Sequence, residues 1–524
     1  MSENLAMPLE RAARLFSDRE AVVDGEVRWT YGELRERVAG FDAALDGLDL
    51  ARGDVVGVLG LNSAAHLVTW LAIPRSGRVL NDLNVRLAPA ELEFILGDSN
   101  ARALLVDDAF LEVGRALAEA CPSVEQLVYM GAGTTPEDCL SFAEMTENER
   151  RAATAVDPDA IAGIFYTGGT TGLPKGAVLT HRNLVANAKH MLIAFGYHGE
   201  DAYLHAAPMF HLADGASTFA VTWVGARHVI IPAFDPELWL RTVAAGGVTH
   251  ALLVSTMVNM VVNHPGVAEH DLSSLREMWY GASPMPAELL RRAMEIIPCD
   301  WRQGYGMTEA APLVTTLPPE DHRRGATGEE PFATRLRSAG LPVVGVEAEV
   351  RRADGTPADV GEPGEIWIRG PNIMKGYWNR PEETAAALDS DGWYHSGDAA
   401  YLDADGYLYI VDRVKDMIIS GGENVYSTEV ENAIYQHPSV LECAVFGVPD
   451  DRWGERVHAA VVLKPDHSAD QETITERCRT LIAGYKLPRT IDFHAEPLPK
   501  SGAGKILKRQ LRKPYWQDQA RQVS

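Results

Sequence analysis

Across the first third of the chain, short continuous apolar runs alternate with segments whose apolar residues recur at helical spacing. "DVVGVLGL" (residues 54–61) reads as a buried strand and "SAAHLVTWLAIPRSG" as the helix after it. "ARALLVDD" and "AFLEVGRALAEAC" repeat the pair, and "QLVYMGAG" adds a third strand. Apolar strands separated by helices predict a mostly parallel sheet with covering helices, because parallel neighbours need a crossover between them. The pattern resumes at "ARHVIIPAF", "VTHALLV" and "LREMWYGAS". At the N-terminus, "MSENLAMPLERAARLF" reads as the start of an amphipathic helix. The most apolar stretch, "HALLVSTMVNMVVNH", is broken by Ser255, Thr256 and Asn259 and predicts a buried helix. No window holds the ~18 consecutive apolar residues of a membrane span.

The texture changes near residue 340. "GVEAEVRRADGTPADVGEPGEIWIRG" alternates polar and apolar positions and is rich in turns, which predicts a β-rich subdomain. "DADGYLYIVDRVKDMIISGG" shows an Asp-Gly turn between strands. After Lys415 a smaller unit follows. "STEVENAIYQHPSV" predicts a helix with Ser427 as N-cap and Glu429 and Val430 in its first turn. "VLECAVFGVPD" and "RVHAAVVLKP" read as strands, and "QETITERCRTLIAG" as a helix. The polar segment "LPPEDHRRGATGEEPFATR" predicts an exposed excursion. The expected class is α/β, with a large N-terminal domain of several subdomains (parallel sheets plus a β-rich part) and a small α+β C-terminal domain.

Length and composition bound the function. A chain of 524 residues with 46% hydrophobic content is too long for one compact core. A formal net charge of −25 argues against general nucleic-acid binding, although local basic spots can still hold phosphate. Five scattered cysteines (Cys121, Cys139, Cys299, Cys443, Cys478) form no C-x-x-C pair, so neither a disulfide framework nor a zinc site is expected. The first residues lack the basic and apolar regions of a signal peptide. A cytoplasmic setting is the expectation.

"YTGGTTGLPKG" (residues 166–176) carries the first chemical signal. Glycines let backbone N–H groups turn toward an anion, threonine hydroxyls add donors, and Lys175 adds a mobile charge. Pro174 stiffens the segment, and apolar runs flank it, so a phosphate cradle is favoured over a flexible connector. The segment is not a Walker A loop, which needs G-x-x-x-x-G-K-[ST]. "SGAGKIL" fails the same test because Ile506 follows Lys505.

Four more motifs follow in order: "YGMTE" (residues 305–309), "YHSGD" (394–398), "DRVKDMIISGGENV" (412–425) and "PKSGAGK" (499–505). The set resembles the adenylate-forming superfamily of acyl-CoA synthetases, peptide-synthetase adenylation domains and beetle luciferases, over nearly the whole chain. The resemblance implies an acid–thiol ligase (an AMP-forming acyl-CoA synthetase) that turns a carboxylate and Mg-ATP into an acyl-adenylate and pyrophosphate, then passes the acyl group to coenzyme A.

Residue by residue, the resemblance implies that Thr167, Gly168, Gly169, Thr170, Thr171, Gly172 and Lys175 wrap the β- and γ-phosphates. Thr167 and Glu309 match magnesium-associated positions, and Thr308 would donate to the α-phosphate. Tyr305 would stack on adenine. Gln303, Gly304, Gly306 and Ile410 belong to the nucleotide site, and so do Ala282 and Ser283 of "YGASP". Asp398 would accept from the ribose hydroxyls, and Arg413 would reach the ribose or phosphate. Lys505 would carry adenylation, with Thr308 and Glu309 as its catalytic company. The family's pivot maps to Lys415, which divides the chain into residues 1–414 and a mobile C-terminal domain, 415–524. Rotation would withdraw Lys505 and bring Gly421 and Gly422 to the pantetheine arm, and Trp453 and Tyr485 would contact coenzyme A. Lys500, Lys508 and Arg509 are expected to be solvated.

"PMFHLADGAS" (residues 208–217) matches the segment that walls the acyl pocket, placing Phe210, His211, Ala213 and Asp214 there with Met307. Small Ala213 leaves room for an extended or bulky group. Asp214 has three readings: it binds a polar group, positions an amine acceptor, or caps a local turn. The expected substrate is an apolar acid, foremost a medium- or long-chain fatty acid. An amine acceptor is the second reading and a non-catalytic nucleotide-binding protein the third. A homodimer is left open, and neither nucleic acid nor an integral membrane segment is expected.

Overall fold

The computed structural model describes residues 3–148, 152–153, 155–167, 174–282, 285–413, 417–420, 423–450, 452–500 and 506–516. Gly168, Gly169, Thr170, Thr171, Gly172, Ser283, Lys415, Gly421, Gly422 and Lys505 lie outside them, and Arg413 is described by its backbone alone.

Two large sheets form the body. Among the described residues one has nine strands and the other eight. In the nine-stranded sheet, Arg227–Ile230, Ala202–His205, His250–Val254, Glu277–Gly281 and Asp300–Gly306 run parallel side by side, and antiparallel strands close both edges. In the eight-stranded sheet, Val55–Leu59 and its neighbours are parallel. The hairpin Ile161–Thr167/Lys175–Thr180 adds the antiparallel side. A four-stranded antiparallel sheet spans Glu347–Arg351 to Leu408–Arg413, where the alternating pattern predicts it. The last sheet runs from Ile418–Ser420 to Thr490–His494 and has its own apolar cluster, centred on Ile434, Val445, Val461 and Ile474. The α/β class and the smaller C-terminal unit stand as the sequence pattern has them. No helix among the described residues is long and apolar enough to cross a membrane.

Three local expectations change. "HALLVSTMVNMVVNH" is not one helix: His250–Val254 is a central strand and Ser255–Val262 the helix after it. A short apolar run is ambiguous by periodicity, and the parallel neighbours decide it. Ser427 is the first residue of the helix Ser427–Tyr435, not its cap; its N–H donates to Asp412, a carboxylate from outside the helix. The polar excursion folds into two short helices, Pro319–Ala326 and Phe332–Arg335, and buries Asp321 and His322.

His322 sits behind the "YGASP" motif. Its Nδ1 donates to Pro318 O at 2.9 Å and its Nε2 accepts from the Tyr280 hydroxyl at 2.8 Å. Burial holds the imidazole down at about 4. Between that value and the usual ~6.5, the unfolded chain binds a proton that the folded chain refuses, so stability rises with pH across this window. The melting temperature is expected to fall from pH 6.5 to pH 4.5, and His322→Gln to flatten part of that fall. A variant with the same slope as the parent by calorimetry overturns the assignment.

Candidate active site

Several candidate residues lie where strands end, while Asp398 and Ile410 lie within theirs. Thr167, Gly281 and Gly306 are last residues of their strands, and Ala206 follows the strand Ala202–His205. In open α/β sheets the crevice beyond the carboxyl ends collects loops and unpaired backbone groups, which is where ligands bind.

Two glycines make the close approaches possible. A Cβ at Gly281 would lie 2.2 Å from Gly304 O, and one at Gly306 would lie 1.8 Å from Pro312 O. Ala282 follows with φ +61°, a left-handed backbone that costs an L-residue about 1–2 kcal/mol. Strain of this kind persists where the surrounding structure dictates it, often at binding sites.

The motifs converge through tyrosines. Tyr305 donates its hydroxyl to Asp398 at 2.8 Å, joining "YGMTE" to "YHSGD". Glu309 is buried and accepts from the Tyr377 hydroxyl at 2.9 Å. The Lys175 ammonium stands 5.4 Å from the centre of the same Tyr377 ring, a cation–π distance. Tyr394 completes the group: it bonds to Tyr377, and burial, with Glu309 adding to it, pushes its phenol well above the ordinary value. Thr167 faces Lys175 across the hairpin and donates to its carbonyl at 3.4 Å. Lys175, Tyr305, Glu309 and Asp398 therefore share one cleft.

Asp398 pairs in register with Arg413 across adjacent strands, and Ile410 lies on the second of these. Gln303 and Gly304 pair with Tyr280 and Gly281. Thr308 opens the short turn Thr308–Ala310, and the Met307 N–H bonds Pro312 O at 2.9 Å.

Sequence reasoning missed Tyr377. It sits in "GYW" (residues 376–378), which has no phosphate-loop or metal spacing, and reaches this cluster because the two-residue strand Gly376–Tyr377 adds to the hairpin strand Lys175–Thr180. Asp98 was missed as well. It accepts from the Tyr166 hydroxyl at 2.7 Å and from Arg380 at 3.1 Å, fixing the root of the glycine–threonine loop.

Beside this cleft is a narrow cavity lined by Ala207, Pro208, His211, Ala213, Asp214, Leu252, Val254, Met257 and Ala282. Its free volume, about 10 Å³, is close to what one water needs (~10–15 Å³). Phe210 is buried beside it in the chain, and neither Phe210 nor Met307 lines it. His211 N-caps the turn Leu212–Gly215, its Nδ1 accepting from Ala213 N at 3.3 Å. Burial lowers the His211 pKa, so the neutral ring offers Nε2–H as its donor. Asp214 is fully buried, and both its oxygens are engaged, by Tyr203 at 2.9 Å and His205 at 2.7 Å. The cap of this turn is His211, not Asp214, whose carboxylate is instead held by two side chains of the strand Ala202–His205.

In the C-terminal unit Trp453 and Tyr485 are exposed, with the Arg452 guanidinium 4.7 Å from the Trp453 ring and the Lys486 ammonium 5.5 Å from the Tyr485 ring. Lys500 and Lys508 are not solvated as expected: they pair with Glu442 and Glu431, the latter at 2.7 Å. Both carboxylates are largely buried, so the ammonium groups compensate them.

Comparison with known proteins agrees with this geometry. Residues 9–378 match the AMP-binding enzyme family and residues 429–505 the AMP-binding enzyme C-terminal domain. A feruloyl-CoA synthase from Amycolatopsis sp is 40% identical over 96% of this chain and 98% of its own. A long-chain-fatty-acid–CoA ligase from Thermus thermophilus is 36% identical over 97% of this chain and 94% of its own. The crystal structure of ATP-bound MatB from Rhodopseudomonas palustris superposes with TM-score 0.87 at 28% identity, covering 98% of this chain and 99% of that one. With the family matched over both parts of the chain, it belongs to the AMP-binding enzymes and is an adenylate-forming ligase of the acyl-CoA synthetase type.

Proposed function

We propose that the chain is an ATP-dependent acid–CoA ligase whose substrate is a compact apolar carboxylic acid, with aryl and arylpropenoic acids ahead of long alkyl acids. The observation that carries the ligase reading is the convergence of Lys175, Tyr305, Glu309 and Asp398 beside a mostly apolar wall, and the order of the acids follows the 40% identity to a feruloyl-CoA synthase. In the first step a carboxylate oxygen attacks the α-phosphorus and pyrophosphate leaves. Two anions must meet, so the site has to orient them and neutralise charge. Lys175 with the glycine–threonine loop would hold the β- and γ-phosphates, Thr308 the α-phosphate and Asp398 the ribose. Lys505 would bridge the carboxylate and phosphoryl oxygens. In the second step the coenzyme A sulfur attacks the acyl carbonyl and AMP leaves.

Glu309 and Thr167 suit Mg²⁺, which takes one or two protein oxygens and fills its shell with phosphate and water. Buried Glu309 supplies a hard carboxylate next to the Lys175 side of the cleft. When bound, the ion would offset phosphate charge.

A division at Lys415 into residues 1–414 and 415–524 would let the C-terminal unit present Lys505 for the first step. It would then present Gly421, Gly422, Trp453 and Tyr485 for the second. The identity to a feruloyl-CoA synthase supports an aryl acid, and the fatty-acid reading rests on the Thermus thermophilus relative.

The test is AMP and thioester formation with ATP, Mg²⁺ and an acid panel (benzoate, cinnamate, ferulate, octanoate, palmitate), with and without coenzyme A. Compact aryl acids giving thioesters support the proposal. Palmitate as best substrate overturns the size reading, and adenylates that ignore coenzyme A but react with amines overturn the acceptor. Met257, an unbranched side chain on the cavity wall, is its natural limit. Met257→Ala is expected to raise kcat/KM for the longer acids by roughly tenfold, the equivalent of ~1.4 kcal/mol. An unchanged chain-length profile would remove Met257 from the wall.

A further inference from the structure

We propose that Asp214 is a positioning residue for acyl recognition, seating the His211 turn through a buried chain, Asp214–His205–His228–Thr222. The inference rests on the ligase reading above. It concerns a group with no assigned role in either half-reaction.

All four members are fully buried. The Asp214 carboxylate meets His205 Nδ1 at 2.7 Å, His205 Nε2 meets His228 Nδ1 at 2.9 Å, and His228 Nε2 meets Thr222 Oγ1 at 3.0 Å. The two imidazoles are stacked, 12° from parallel. A side bond from the Tyr203 hydroxyl holds the second carboxylate oxygen at 2.9 Å.

The protons order themselves. A carboxylate only accepts, so His205 carries its proton on Nδ1. Burial holds His228 well below the usual value, so that ring is neutral. The order that uses each ring nitrogen once has His228 Nδ1–H donating to His205 Nε2 and the Thr222 hydroxyl donating to His228 Nε2.

The chain ties together the elements around the pocket. Asp214 lies in the turn Leu212–Gly215, Tyr203 and His205 on the strand Ala202–His205, His228 on its neighbour Arg227–Ile230, and Thr222 on the helix Ser217–Val224. Elsewhere on the same turn, Gly215 packs so closely on Trp70 that a Cβ would lie 2.3 Å from the indole. Asn62 holds the approach to the turn, donating to Ala207 O and accepting from Met209 N, at 2.9 and 2.8 Å. His211, Ala213 and Asp214 of this fixed segment line the cavity.

A buried polar chain is a poor way to add stability, since apolar side chains of similar volume often do as well. Its directional bonds instead fix where the turn sits. A displaced turn would move His211 Nε2–H and the Ala213 wall away from the acid and leave the nucleotide cleft unchanged.

The experiment measures KM for a responsive acid, KM for ATP and the melting temperature in Asp214→Leu, Asp214→Asn, Thr222→Val and the Asn/Val double variant. Asp214→Leu is expected to raise KM for the acid about tenfold or more, with KM for ATP within about twofold, as loss of a buried charged hydrogen bond implies. Asp214→Asn is expected to recover most of that loss. Its amide can still accept from Tyr203, and the chain can reverse its protons so that Thr222 becomes the acceptor. Thr222→Val alone is expected to cost about threefold. In the double variant the reversed chain has no terminal acceptor, so the loss is expected to exceed the product of the single losses. Parallel shifts in both KM values, an Asn variant no better than Leu, or an additive double variant would each overturn the proposal. If Asp214→Leu does not fold, the Thr222 and Asn variants decide it alone. A parent enzyme that adenylates no acid in the panel would refute the ligase reading instead.

Discussion

Lys505→Ala is expected to lose adenylate formation by roughly three orders of magnitude, at the upper end of what one charge-stabilising group supplies. Transfer from a preformed acyl-adenylate to coenzyme A should survive within a few-fold. The attacking carboxylate and the α-phosphate are both anionic, and an ammonium on a flexible stem can approach both. The residues flanking the loop show how it would be carried. Lys500 bridges to Ile506, the Leu507 N–H bonds Pro499 O at 2.8 Å, and Leu498 N and Lys500 both bind Glu442. Lys508 is pinned to Glu431. The base of the loop is thus fixed to the C-terminal unit and would travel with it. Pyrophosphate exchange reads the first step, and thioester formation from synthetic acyl-adenylate reads the second. Equal losses in both steps, or persistence of the first, would remove Lys505 from its role.

Glu309→Gln is expected to lower the adenylation rate by about a hundredfold and to raise the Mg²⁺ concentration needed for half-maximal rate. The amide keeps the shape of the side chain and can still accept from Tyr377, so the change isolates the charge. Tyr377→Phe is the companion variant: it keeps the ring under Lys175 and removes the hydroxyl that meets both Glu309 and Tyr394, a loss of about 0.5–1.5 kcal/mol for each bond. A Mg²⁺ titration on both variants separates the two effects. An unshifted Mg²⁺ requirement in Glu309→Gln would show that the carboxylate serves the fold and not the ion.

The resemblance assigned Tyr305, Glu309 and Asp398 to a common site without showing how they meet. "YGMTE" and "YHSGD" stand about ninety residues apart, and the Tyr305–Asp398 bond joins them. Tyr377 was invisible because no spacing rule covers a residue that arrives by adding a two-residue strand to a distant hairpin. Asp214 was ambiguous for a related reason. A carboxylate in a turn reads as a cap until its partners are known, and its partners lie on a preceding strand whose histidine looks like any core histidine. The polar segment from residue 317 misled because composition does not reveal that Asp321 and His322 turn inward, His322 to the Tyr280 hydroxyl.

What the sequence determined by itself was the alternation of apolar runs, and from it the α/β class, the β-rich middle and the smaller final unit. Ordered motifs also carried the family and its ligase chemistry, which the match over both parts of the chain bears out. Tertiary structure decided the fate of short apolar runs such as residues 250–262, since a strand is chosen by its neighbours and not by its own period. It also decided which residues line the small cavity beside His211 and which buried partners hold Asp214. Those properties depend on contacts between residues far apart in the chain, and the pattern along a single segment carries no record of them.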